Sequence, residues 1–172
     1  MLKRLSEGIN AGLVWDAFDN LHLHDNAWAI YGLLETDTTN WTYTPKPRYY
    51  AAKQLFRYVL LGFQRVASNP LHVDTTYIYV RWHDQYRNMR FEAFVSPDKK
   101  DFTIVGTSRI EEIIPLSFIM EGVDVPSNLF MYRTSPTENC QLVDDFKVDG
   151  DTIKVMVNPR SFFTVTTISE KK

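Results

Sequence analysis

Between Asp16 and Asp37 the chain gathers the side chains best suited to chemistry: carboxylates at Asp16, Asp19, Asp25, Glu35 and Asp37, and imidazoles at His22 and His24. Asp16 and Asp25 are the pair that could divide general acid and general base work. Such work needs two carboxyl groups of different proton affinity within reach of one bond. Aspartate and asparagine also serve as turn formers and caps, bonding to their own backbone, and that structural use accounts for these residues more simply. His22 and His24 are two apart and share a face if the segment is extended. Zinc would need a third, convergent ligand, and the remaining histidines, His72 and His83, show no ligand spacing. No metal site is expected. Cys140 is the only cysteine, so no intrachain disulfide forms, and no histidine-bearing motif accompanies it as a partner for a thiol nucleophile. None of the seven glycines forms a phosphate-cradling loop. No cofactor is expected.

Length and composition bound the rest. With 172 residues, 44% hydrophobic and 23% charged, the chain has the make-up of one globular domain, or a small domain with an appendage. A net charge of −2 with scattered basic residues excludes nucleic acid and anionic membrane as partners. No apolar run approaches the roughly 20 residues of a membrane span. The opening residues, MLKRLSEGINAGLV, lack the apolar centre of a signal peptide, and localisation stays open.

The elements that must position these residues change character along the chain. Residues 2–9 read as the last turns of a short amphipathic helix. Residues 11–18, AGLVWDAF, are apolar on both faces, as in a strand buried within a parallel sheet. A long aromatic and polar stretch from residue 19 reads as a structured loop. The next helix is expected over 47–61, with Thr44 as cap, Pro45 and Pro47 at its start, and Gly62 as its stop. Its core positions would be Tyr49, Ala52, Leu55, Phe56, Val59 and Leu60. Beyond Gly62 the hydrophobic period becomes two. Strands are expected at 63–67, 77–83, 89–96, 102–108, 113–121, 128–133, 141–148, 152–157 and 162–168, punctuated by Pro-Asp, Ser-Pro, Asp-Gly and Asn-Pro. The fold class is therefore mainly β: an antiparallel β-sandwich of about eight strands, preceded by a strand–loop–helix. Tyr77, Tyr79, Phe91, Phe162 and Phe163 read as core and cross-strand pairs. Arg81, Trp82 and His83 could line a sandwich face.

This order of elements resembles the C-terminal end of glycoside hydrolases of clan A, in which a (β/α)8 barrel carries an appended sandwich; glucosylceramidases, glucuronoxylanases and cellulase-like enzymes are the nearest likeness. The resemblance rests on GLVWDAF at 12–18 and on Lys46, Pro47, Tyr49, Tyr50, Ala51, Gln54, Phe56, Arg57, Tyr58, Val59 and Gly62. It extends through Leu129–Ser135, Glu138–Cys140, Ile153–Val157 and Pro159–Thr164. Leu61 stands where a proline is usual. It implies that residues 1–62 correspond to the last part of a barrel and residues 63–172 to the sandwich. It also implies that the retaining pair of glutamates, about 5–5.5 Å apart in such enzymes, belongs to barrel strands with no counterpart here. The chain would then be a non-catalytic fragment or accessory module, or alternatively a stand-alone carbohydrate-binding sandwich or a weak, assembly-dependent glycosidase. Trp15, Asp16, His22, His24, Trp28 and Trp41 would be its substrate contacts, the tryptophans by stacking on sugar rings. Carbohydrate, and a barrel or a second copy covering the helix, are the partners implied; the parent enzymes suggest secretion or a periplasmic setting.

Overall fold

The structure, a computed structural model, describes residues 2, 5, 12–14, 17–18, 32–37, 39–67 and 89–169. Its elements are β1 (Leu34–Asp37), β2 (Thr42–Pro45), a helix α1 (Pro47–Tyr58), β3 (Gln64–Val66), β4 (Met89–Val95), β5 (Phe102–Ser108), β6 (Ile114–Ile119), β7 (Phe130–Ser135), β8 (Glu138–Val143), β9 (Phe146–Asp149), β10 (Thr152–Val157) and β11 (Phe162–Thr166). Three antiparallel sheets result: the hairpin β1–β2, a three-stranded sheet β6-β10-β9 and a six-stranded sheet β3-β4-β5-β11-β7-β8. The mainly β sandwich expected from the two-residue period is what forms.

Burial along each strand shows which layers cover it. β10 alternates between covered and exposed, as a strand with one wet face should. β5, β7 and β11 are buried at almost every position, because their sheet is covered on both sides. One side carries the main core, where Phe102, Ile104, Met131, Phe163 and Val165 meet Ile153, Val155 and Val157 of the smaller sheet. The other side carries α1, which packs across β5, β7, β8 and β11. Phe163 fits its core because it stands opposite Gly106; a Cβ at Gly106 would lie 2.2 Å from the Phe163 ring. Here a glycine inside a strand marks a close approach.

Several boundaries differ from the sequence expectation. The stretch expected as one strand over 141–148 is two strands in different sheets, parted at Asp144–Asp145. There the Asp145 carbonyl accepts from Met156 N (2.8 Å) and its carboxylate pairs with Arg133, which turns the chain into the second sheet. The stretch expected as loop contains the hairpin β1–β2, and Thr44, expected as a helix cap, pairs with Glu35 within it. Lys46 takes the cap position without a side-chain cap bond, and Pro47 opens the helix. The helix stops at Tyr58 rather than 61, and Gly62 (φ +91°) instead forms the turn into β3. Gly12–Val14 is irregular, while Phe18 makes a parallel bridge to Leu34, whose N–H donates to Ala17 O (3.0 Å). The strand expected at 77–83, with Arg81, Trp82 and His83, lies outside the described residues. Of residues 2–9 only Leu2 and Leu5 are described, and both pack in the cluster of Leu55, Phe94 and Val105.

Candidate functional site

Among the expected contacts, Trp15, Asp16, His22, His24 and Trp28 lie outside the described residues. Trp41 is described, and it stands at the turn of the β1–β2 hairpin. The turn is built by Asp37. One carboxylate oxygen accepts from the N–H groups of Thr39 (2.8 Å) and Asn40 (3.2 Å), and the other from the Asn40 side-chain amide (2.8 Å). These bonds, led by the Asn40 side chain, hold the Asp37 carboxyl below the usual aspartate range. A general acid needs the opposite displacement, so Asp37 acts as a turn former, in line with the simpler use expected of the aspartates. Trp41 follows in the left-handed region (φ +55°), a conformation disfavoured for bulky residues. Its side chain is 86% exposed, and that of Tyr43, two residues on, is 68% exposed.

The hairpin is joined firmly to the helix. Lys46 N donates to Leu33 O (3.0 Å), and Tyr49 N donates to Lys46 O (2.9 Å) as the helix begins. Below, α1 is seated by polar as well as apolar contacts. Gln54 is fully buried; with its amide oriented to satisfy both neighbours, it donates to Phe162 O (3.2 Å) and accepts from Arg133 N (3.3 Å). At the helix end, the Thr103 hydroxyl donates to Tyr58 O (2.6 Å), satisfying a carbonyl that the helix leaves open. The Tyr58 ring stacks on Tyr132 with centroids 4.5 Å apart, beside buried Cys140.

The inner and outer faces of α1 are therefore not the ones its apolar period suggests. Leu55 is buried as expected, but Gln54 and Tyr58 join it, while Tyr49, Phe56 and Leu60 are exposed, together with Leu61 just beyond. Phe56 is 54% exposed. Tyr49 and Phe56 on α1, with Leu60 and Leu61 just past its end, are thus apolar side chains left uncovered.

Sequence reasoning passed over one cluster altogether. Arg133, almost entirely buried, donates from Nε and Nη2 to the two oxygens of Glu138 (2.7 and 2.6 Å) and pairs with Asp145. The Asn158 amide oxygen, correctly oriented, accepts from the same guanidinium at 3.2–3.3 Å. Its hydrogen bonds with Arg133 hold the Glu138 carboxyl below the usual glutamate range. The knot joins β7 and β8 to the segments flanking β9 and β10. Its signal in the sequence was an arginine and a glutamate flanking the Ser-Pro turn, five residues apart. Among the described residues, no group of three or more His, Cys, Asp or Glu could hold a metal ion.

No protein-family model matches the sequence, and no curated protein matches it. Solved structures do. A glycoside hydrolase family 30 subfamily 8 xylanase from Clostridium acetobutylicum superposes with a TM-score of 0.60 at 16% identity, over 79% of this chain and 30% of its own. A GH30 xylanase C catalytic domain from Talaromyces cellulolyticus gives 0.58 at 14%, over 84% and 28%. A conserved exported protein from Bacteroides fragilis gives 0.60 at 12%, over 79% and 27%. The likeness is one of fold. It agrees with the resemblance to barrel-and-sandwich glycoside hydrolases, and the chain spans about 30% of the length of the enzymes it matches.

Proposed function

We propose that this chain works as a non-catalytic β-sandwich module of a glycoside hydrolase that acts on polysaccharide or glycoside substrates, and that it docks on the catalytic barrel through α1. The observation that carries this is the set of apolar side chains Tyr49, Phe56, Leu60 and Leu61, left uncovered on and just beyond a helix whose Leu55 and Tyr58 are packed against the sheet. Contiguous exposed apolar surface marks a place where another protein surface belongs. The shared fold supports the same role, since the similar chains contain this architecture as a minor part of a longer enzyme.

Two measurements on the purified full chain test this role. Incubation with xylan and with aryl glycosides is expected to release no sugar or aryl alcohol above background. Turnover that survives purification and falls on Asp16→Asn would overturn the non-catalytic role. In sizing at high concentration, these uncovered side chains are expected to drive self-association; a clean monomer there would count against the docking face.

A further inference from the structure

We infer that Glu92 and Arg65 form an acid-closed latch that seats β3 on the sandwich, and with it Leu60 and Leu61 at the end of the docking face. Charge on Glu92 loosens the edge strand, and a proton on Glu92 tightens it. Only the consequence for docking rests on the module role proposed above. The latch is read at β3 itself, so either can fail alone.

β3 is three residues long, and at the edge of the six-stranded sheet it pairs with β4. It follows directly on the docking residues: Phe63 N donates to Leu60 O (3.0 Å), and Gly62 makes the turn. Arg65 stands opposite Phe94, and Glu92, two residues before Phe94, shares that face. Val105 is directly opposite Glu92 on β5, and Leu2, Leu5 and Leu55 of α1 pack on Phe94 and Val105. Only 7% of Glu92 is exposed. Its one ion pair among the described residues is a single contact of 3.4 Å between Arg65 Nη1 and its Oε2, and that arginine side chain is 39% exposed. Arg90 shares the face, and the cations Lys53 and Arg57 flank Leu55 on α1, while β5 brings only Thr107 and Val105. Of these charged groups Arg65 alone acts on Glu92.

The other buried Arg–Glu pair shows what this one lacks. Glu138 accepts two bonds, of 2.6 and 2.7 Å, from buried Arg133, and its carboxyl is held below the usual range. For Glu92, burial outweighs one long contact and pushes the carboxyl above that range. Lifting β3 takes Arg65 away and lets water reach Glu92, so the closed strand binds a proton more readily than the open one. By linkage, closing gains as pH falls through the closed-state value, and the gain is complete below the open-state value of about 4.3.

The test is amide hydrogen exchange of the full chain from about pH 7.5 to about pH 4.5, with each rate divided by the intrinsic rate at that pH. Opening of β3, read at Gln64–Val66 relative to β10, is expected to become several-fold rarer as the pH falls. Glu92→Gln is expected to remove that pH dependence and to hold β3 closed at neutral pH at least as well as the parent. Arg65→Gln takes away the attracting cation, so the window should move to higher pH, which the loss of a merely structural contact would not cause. Should Glu92→Gln fail to fold, carbon NMR titration of the Glu92 carboxyl in the parent chain decides, with a midpoint above the ordinary glutamate value expected. Opening that stays constant or becomes commoner as the pH falls, a pH dependence retained in Glu92→Gln, or a Glu92 midpoint at or below about 4.3 would each overturn the inference.

Discussion

The six-stranded sheet is packed on both faces, but by different means. Toward the three-stranded sheet it presents Phe102, Ile104, Met131, Phe163 and Val165, and the contact is one of shape, with Phe163 lying over Gly106. Toward α1 it presents Phe94, Val105 and Tyr132 to Leu55 and Tyr58, and adds directional contacts: Thr103 to the Tyr58 carbonyl, and Gln54 to two backbone groups of the sheet. Apolar packing is strong but tolerant of angle, whereas a buried hydrogen bond is costly to misplace. The first face holds the sandwich together. The second sets where the helix sits, and so which side of it faces outward and where the hairpin projects.

The contrast can be broken most severely on the apolar face. Phe163→Ala removes a fully buried ring at the centre of the core and is expected to cost about 4 kcal/mol. Urea unfolding followed by far-UV circular dichroism measures it; a loss below that of the helix-face variants would reverse the ranking of the two faces.

The Arg133 knot at the sandwich rim comes next. Arg133→Met strands Glu138 and Asp145 without their cation and is expected to cost about 3 kcal/mol at neutral pH. The sign of its pH dependence follows from Glu138. Because its folded pKa lies below the ordinary range, the unfolded chain takes up the proton first as pH falls. The contribution is therefore complete above the unfolded value of about 4.3 and is lost as pH falls from there through the folded pKa. Parent and variant stabilities, compared across that window, should converge as the pH falls; a constant gap would remove the ion pair as the cause.

On the helix face, Gln54→Ala leaves Phe162 O and Arg133 N without the amide and is expected to cost about 2 kcal/mol. Amide hydrogen exchange should show faster opening in α1 than in β10. Equal acceleration in both would mean that helix and sandwich unfold as one unit.

The smallest effect on stability belongs to the outer side of the helix. Leu61→Gln is expected to change unfolding free energy by less than about 0.5 kcal/mol, as exposed positions do. In sizing experiments the same substitution should reduce association. An equal loss of stability there would show that Leu61 is covered within the chain itself.

Much of this architecture was legible residue by residue. TIKVMV alternates in burial as it alternates in polarity, and Asp-Gly at 149–150 is the turn between β9 and β10, with Gly150 at φ +61°. The helix start at Pro47 was legible because proline is tolerated there for a local reason. The orientation of the helix was not. Its period placed Tyr49, Phe56 and Leu60 inside, yet Gln54 and Tyr58 took those places, because the sheet offered buried polar partners that no sequence window contains. Of the expected contacts only Trp41 is described, and its exposure at a hairpin turn was not announced by the sequence. Tyr43 pairs with Thr36 in the same hairpin, which the loop-like stretch likewise did not announce.

From Pro47 onward, local chemistry alone determined most element types, most turns and the two-residue period that makes a sandwich, because steric limits and hydrophobic alternation act over a few residues. Tertiary structure decided what depends on residues far apart in the chain. It buried β5, β7 and β11 on both faces, split 141–148 between two sheets around the Arg133 knot, and left Tyr49, Phe56 and Leu60 outside while Leu55 stayed in the core. Each of those outcomes required a partner more than a few residues away to be in position first.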